Sequence, residues 1–432
     1  MAFAREFEVL TRIEALNYRS LRYISQRISS FQTLVGPNGS GKSSFLDVPG
    51  FLGDLLRLGP YRAIIGDGNG VPQRAADLSH LTWMREGSRF ELAVELSIPE
   101  QRLGTPPKFN AARYEIAVEG RGDSKEIVLA AETLWLKPRV EEPRPEIQAY
   151  FPEMKHSPET LIRPPNKKTP KGWRKVVNKI AESGNDYFMA ETTEWNNSFR
   201  LGPNKSALAN LPEDEERFPV ATWVKRFLME GVRKVVLNAE VMRRPSPPGS
   251  PSQFLPDGSN LPWVVDALER IDRARFGQWV DQFRTAIPDL KTISTVQRDE
   301  DKHRYIVVEY QNGLKAPSWV VSDGTLRMLA LTLLAYIPNT EGIYLIEEPE
   351  NGIHPRAVES VYQSLSSVYG AQVLCASHSP IVLGLAKQAD LLCFAKTESG
   401  ATDIVRGDEH PRLKNWKGSI DLGTLFAAGV LG

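Results

Sequence analysis

The spacing of apolar and polar positions divides the chain into stretches of different period. Residues 8–16 (EVLTRIEAL) and 31–35 (FQTLV) read as strands on either side of a short connection, and after Gly36 the pattern becomes that of a helix. Pro49 lacks the N–H that would bond back toward Phe45, so a kink or break is predicted near Val48, with a second helical piece at 51–57. Residues 89–98, 112–119 and 126–136 alternate like half-exposed antiparallel strands and predict a small β-lobe after the first helix.

The character changes at about 138. Prolines cluster over 138–170, the segment IRPPNKKTPKGWRKVVNKI carries seven Lys or Arg residues, and the acidic run Glu213–Glu216 follows. No sustained heptads occur there, which argues against a long coiled coil. Helical periodicity returns at 220–242, and a Pro/Ser/Gly-rich loop at 245–259 separates it from another helix at 262–286. The strand YIVVEY (305–310) leads to a long helix beginning near Asp323. Buried strands then alternate with helices: IYLIEE, a helix from 355, QVLCAS, a helix from 380, LLCF. That alternation indicates a parallel sheet covered on both faces. The predicted division is therefore 1–137, a first half with the β-lobe; 138–260, an inserted, mostly helical subdomain; and 261–432, a second half.

Composition narrows the class. The chain of 432 residues is 41% hydrophobic and 25% charged, as in an ordinary globular protein. Lys plus Arg and Asp plus Glu both number 53, so any basic surface for nucleic acid must be local. Cys375 and Cys393 sit in short apolar runs and read as two inert core thiols of a reducing compartment, with a disulfide between them as the alternative. The N-terminus has no apolar signal core, and no stretch approaches the roughly 18 apolar residues of a membrane span, so a cytoplasmic location without membrane contact is expected.

Chemistry is concentrated in four short motifs. Residues 36–43 read GPNGSGKS, the G-x-x-x-x-G-K-[ST] pattern of a phosphate-binding loop. Gly36, Gly39 and Gly41 let successive N–H groups of Gly36, Pro37, Asn38, Gly39, Ser40, Gly41 and the following Ser44 region turn inward, apart from the proline, which has none. Lys42 supplies charge for the β- and γ-phosphates, Ser43 can ligate Mg²⁺, and the helix start points its positive end at the phosphates. GIYLIEEPENGIHP (342–355) is an apolar strand ending in two acids, with Glu347 placed to hold the Mg²⁺ shell and Glu348 to orient and polarise an attacking water. VSDGT (321–325) opens a helix in which Ser322 or Asp323 caps the first turn. ASHSP (376–380) sets His378 at the C-terminal edge of the next strand, where ligand-contacting residues gather.

In this order the motifs resemble those of the ABC-type ATPases, specifically the soluble SMC/RecF/OLD-like branch. EEPENGIHP and SHSP resemble small predicted ATP-binding proteins of bacterial antiphage operons, as do LNYRSL (16–21) and FLPDGSNLP (254–262). The likeness covers about 1–60 and 254–396. It implies an α/β P-loop NTPase fold, an ABC-type head with a mixed sheet and an antiparallel lobe, using ATP and Mg²⁺. It also implies that Arg19 contacts nucleotide, that Ser322, Asp323 and Gly324 form a signature touching the γ-phosphate on the opposite subunit, and that Asn351 lies in a loop crossing that interface. Glu348 becomes the catalytic base and His378 the switch histidine. Asp323 stands where many relatives have glycine, and Glu347 where many have aspartate. Gln73 is a weak candidate for the Gln loop.

Lys42 and Ser322 lie so far apart that a domain must be inserted between the two halves of the head. The function implied is an ATP-driven homodimer, or higher even oligomer, that regulates an effector, a nuclease from the same operon, in antiphage defence. The alternative is a RecF-like clamp that contacts nucleic acid through Lys167, Lys168, Lys171, Arg174 and Lys175. A transporter subunit fits SHSP and ENGIHP poorly.

Overall fold

The computed structural model describes residues 8–66, 68, 73–103, 108–122, 126–139, 148–163, 169–180, 186–338, 340–413 and 422–429. In the first part of the chain lie β1 (Leu10–Tyr18), β2 (Leu21–Arg27), β3 (Phe31–Val35), α1 (Lys42–Ile65), β4 (Arg89–Ser97), β5 (Ala111–Arg121) and β6 (Glu126–Lys137). The middle holds β7 (Arg174–Ile180), β8 (Asp186–Met189), β9 (Asn196–Phe199), α2 (Pro219–Arg226), β10 (Val232–Val235), α3 (Ala239–Arg243), α4 (Leu261–Ile271) and α5 (Arg273–Ala286). Then come β11 (Leu290–Gln297), β12 (Arg304–Tyr310), β13 (Lys315–Pro317), α6 (Asp323–Leu333), β14 (Ile343–Glu347) and α7 (Pro355–Ser366). The last elements are β15 (Gln372–Ala376), α8 (Pro380–Leu385), β16 (Leu391–Lys396), β17 (Thr402–Arg406) and α9 (Leu422–Ala427).

Three sheets organise them. A six-stranded sheet runs β10-β14-β15-β3-β16-β17, parallel throughout except for β17. An antiparallel sheet of eight strands runs β2-β1-β4-β5-β6-β7-β8-β9, and a small one runs β11-β12-β13. β3 thus sits between β15 and β16, strands from the far end of the chain, and the parallel strand ends following Val35, Glu347 and Ala376 lie along one edge. Side chains of the parallel strands alternate between two cores, as the two-residue period requires. Leu34, Leu345 and Leu374 join Phe45, Phe51 and Leu55 of α1 and the apolar face of the large sheet. Val35, Tyr344, Ile346 and Cys375 join Trp279, Phe283, Leu329 and Val361 on the other side. Gln372 stitches the lobe to this sheet: its Oε1 accepts from Leu10 N at 2.6 Å and Val9 N at 3.1 Å, and its Nε2 donates to Leu10 O at 2.9 Å. Cys375 and Cys393 are free and buried, and burial pushes both thiols up to about 12.

Four expectations change. α1 passes through Pro49 with helical angles and breaks instead at Gly59, whose φ is 81°. Buried Phe45, Val48, Phe51 and Leu52 hold the turn around the proline, so packing outweighs its missing bond. The span 220–242 is not one helix. After α2 and a π-turn at Phe227–Gly231, the four residues VRKV of β10 pair in parallel with β14. Gly342 makes this close approach possible, since a Cβ there would meet the Gly231 carbonyl oxygen at 2.2 Å. The helix expected over 262–286 is broken at Asp272, which caps α5 by accepting from Arg275 N at 3.0 Å. Finally, strand pairing rather than helix organises 174–199, where β7, β8 and β9 widen the lobe sheet.

Candidate functional site

The loop between β3 and α1 has the backbone that its glycines predict, with φ of 149° at Gly36, 72° at Gly39 and 106° at Gly41. Two of these positions have no room for a side chain: a Cβ would lie 2.2 Å from Phe394 O at Gly36 and 2.2 Å from Thr402 Oγ1 at Gly41. Lys42 is buried and folds over its own loop, donating to Gly36 O at 2.7 Å and Pro37 O at 2.9 Å. Burial pulls its ammonium down to about 8, against the opposing pull of Glu348 and Glu347. Pro37, Asn38 and Gly39 are exposed, Ser44 is half-buried, and Ser40 is buried with its hydroxyl unpartnered while its carbonyl accepts from Thr402 Oγ1 at 2.9 Å.

Across the sheet edge, Ser43 Oγ donates to Glu347 Oε2 at 2.5 Å, and Lys234 Nζ contacts Glu347 Oε1 at 2.9 Å. Burial would raise the Glu347 carboxyl, but the bonds from Ser43 and Lys234 prevail and hold it below the usual carboxylate range. Glu348 follows in left-handed backbone, φ 49°, rare for a residue with a side chain and a form of strain found at functional sites. Its N–H bonds Ala376 O at 2.8 Å and its carbonyl accepts from Asn351 N at 3.0 Å. Glu350, which the sequence did not single out, ties this loop to the neighbouring strand end. Its Oε1 accepts from Ser377 Oγ at 2.6 Å and His378 N at 3.3 Å. His378 reaches the backbone of Gly36, and partial burial together with Lys42 lowers its pKa from the ordinary value.

Ser322 caps α6 as expected, accepting from Thr325 N at 3.2 Å. Ser322 and Asp323 are exposed, and Asp323 pairs with Arg243 at 2.6 Å. Gly324 packs against the loop that carries Asn351, where an added Cβ would meet Gly352 O at 2.4 Å. Arg19 is tied to α1: its guanidinium meets half-buried Asp47 at 3.2 Å, which also takes Arg74 at 2.9 Å and the Tyr18 hydroxyl at 2.7 Å. Gln73 is exposed and bonds Ala75 O within its own loop. Lys396 was also missed; its Nζ lies 3.2 Å from the point a Gly39 Cβ would occupy. Only the three-dimensional pairing of β3 with β16 brings it there.

The model of the family described as "AAA domain, putative AbiEii toxin, Type IV TA system" matches residues 33–384, which spans the phosphate loop, the acidic strand end and His378. The chain belongs to this AAA family. Its P-loop ATPase fold is also that of SMC heads: the AAA chain superposes on an SMC head bound to the C-winged helix domain of ScpA with a TM-score of 0.51 and 14% identity, covering 92% of this chain and 97% of that one. The SMC head with an extended coiled coil bound to the C-terminal domain of ScpA from Pyrococcus furiosus gives 0.48 and 11%, covering 92% and 96%. The SMC head domain from Thermotoga maritima gives 0.39 and 12%, covering 92% and 98%. No curated protein matches this AAA chain.

The residues present fit a triphosphate with a divalent cation. The loop offers inward N–H groups and a lysine now spent on its own carbonyls, and Ser43 with Glu347 supplies two adjacent oxygen ligands. Among the described residues no group of three or more His, Cys, Asp or Glu gathers as a self-sufficient metal site, so a Mg²⁺ held by Ser43 and Glu347 would need phosphate oxygens or water for the rest of its shell. Among the described residues no helix is long and apolar enough to cross a membrane.

Proposed function

We propose that the chain binds and hydrolyses ATP with Mg²⁺ between two copies of itself, and that this cycle controls a second protein, a nuclease effector, in antiphage defence. The observation that carries the catalytic part is the contact of Ser43 with Glu347 at 2.5 Å beside a strained Glu348, at the mouth of a glycine loop closed by Lys42. Lys42 exchanges its two loop carbonyls for the β- and γ-phosphate oxygens. Ser43 and Glu347 hold Mg²⁺, which when bound neutralises phosphate charge. Glu348, fixed by its backbone bond to Ala376, accepts a hydrogen bond from the attacking water and draws off its proton. His378 stays neutral near pH 7, because its pKa is lowered, and lies ready to sense the γ-phosphate.

The two-copy arrangement is supported by the exposure of Ser322, Asp323 and Asn351. These residues lie on the surface, where a second copy could reach them, although Ser322 is engaged with Thr325 and Asp323 with Arg243 within the chain. The effector reading is supported by the toxin–antitoxin wording of the family description. The RecF-like clamp has less support. Arg174 is engaged by Ala190 O at 2.7 Å, and Lys175 lies over the Trp135 ring at 4.6 Å, so part of the basic run serves the lobe itself. Lys167 and Lys168 lie outside the described residues.

Two variants test the chemistry. Lys42→Ala loses ATP binding, whereas Glu348→Gln keeps binding and loses turnover. Glu348→Gln turning over at the wild-type rate contradicts the assignment. Co-purification with the product of the adjacent gene tests the effector role, and a chain that stays unpartnered and inert during infection counts against it.

A further inference from the structure

Glu347 carries an unusual companion. β10 is an edge strand of only four residues, and its register sets Lys234 opposite Leu345 on β14. Two residues further along β14, Glu347 shares the face of Leu345, so the two-residue period makes Lys234 and Glu347 diagonal neighbours on one side of the sheet. The carboxylate is then fully divided: Oε2 takes the Ser43 hydroxyl at 2.5 Å and Oε1 the Lys234 ammonium at 2.9 Å. Lys234 is half exposed and opens, with Arg327, Glu347 and Glu348, onto a cleft of about 220 Å³. A four-carbon stem with an exposed head can swing away at little cost, unlike a bidentate arginine.

We propose that Lys234 is a tethered counter-cation, holding Glu347 when no metal is bound and displaced when a divalent cation takes that carboxylate oxygen. The inference rests on the role of Glu347 toward Mg²⁺ given above. It adds that metal loading is opposed by a charge built into the strand next door. The arrangement keeps two adjacent acids, Glu347 and Glu348, from facing each other uncompensated, and it makes the site's hold on metal dependent on phosphate as well as carboxylate. A half-exposed ion pair is a weak competitor, which keeps the displacement reversible.

The test is titration of Mn²⁺ into the full chain with ADP, reading free Mn²⁺ by electron paramagnetic resonance. Lys234→Met tightens Mn²⁺ about two- to fivefold, the range an exposed pair can oppose, and the gain shrinks as KCl is raised. Lys234→Arg, which keeps the charge on a head that releases a carboxylate less readily, binds Mn²⁺ no more tightly than wild type. Unchanged or weaker Mn²⁺ binding in Lys234→Met overturns the displacement. Glu347→Ala separates the two levels: weaker Mn²⁺ there with no change in Lys234→Met defeats only the counter-cation, whereas unchanged Mn²⁺ in Glu347→Ala defeats the metal role of Glu347 itself.

Discussion

Gly324 offers a quantitative test of how the start of α6 is joined to the loop after the acidic strand. An alanine Cβ there would lie 2.4 Å from Gly352 O, where ordinary contact begins near 3.4 Å, so the two backbones must part by about 1 Å. Neither side can yield by turning a side chain, because the obstacle is a carbonyl held in a turn closed by Ile353 N to Glu350 O at 3.0 Å. Overpacking of this kind costs about 1–3 kcal/mol, and the better helix propensity of alanine returns about 0.5–1 kcal/mol. The net loss is about 0.5–2 kcal/mol, a drop in Tm of about 2–4 °C per kcal/mol for a mid-sized domain. Because the moved loop carries Asn351, whose N–H bonds Glu348 O, ATP turnover also falls. Gly277, mid-helix in α5 with nothing within 4 Å of its added Cβ, is the control, and Gly277→Ala stabilises by about 0.5–1 kcal/mol. Thermal melts of the three proteins decide the matter. A Gly324→Ala protein that melts at or above wild type, while Gly277→Ala gains as stated, refutes the close approach.

Gln372→Leu strands the buried N–H groups of Val9 and Leu10 and costs about 2–4 kcal/mol in a urea melt; a loss under 1 kcal/mol would show that the seam relies on other contacts. Glu191 is buried while accepting from Val220 N at 2.9 Å and Ala221 N at 2.8 Å, and burial pushes its carboxyl up to about 7. A raised carboxyl favours the fold below its unfolded value of 4.5 and loses that contribution as pH rises through about 7. Relative to Glu191→Gln, wild type therefore loses about 2–3 kcal/mol between pH 4.5 and 7, and parallel stability profiles of the two proteins contradict this.

The parts of the fold that the sequence made legible are those with a strong local signal. The alternation in 89–98, 112–119 and 126–136 became β4, β5 and β6, and the glycine loop lies between β3 and α1 as its spacing requires. What escaped was set by partners far along the chain. β10 has only four residues, and VRKV carries its valines three apart, a spacing a helix shares, so its pairing with β14 was invisible and Lys234 with it. Glu350 reads as one more acid in a turn until Ser377 and His378 arrive beside it. Lys396 and Thr402 reach the phosphate loop only because β16 pairs with β3. Pro49 shows the reverse: a local rule was legible, and packing overrode it.

The central claim is that Ser322 of one copy completes the nucleotide site of another. Sedimentation of Glu348→Gln with and without ATP tests it, alongside the same protein carrying Ser322→Arg as well. A doubled mass with ATP, lost in the double variant although ATP still binds, is the predicted result. A Glu348→Gln protein that binds ATP yet stays at the mass of one chain, or a double variant that pairs as well as the single, would contradict it.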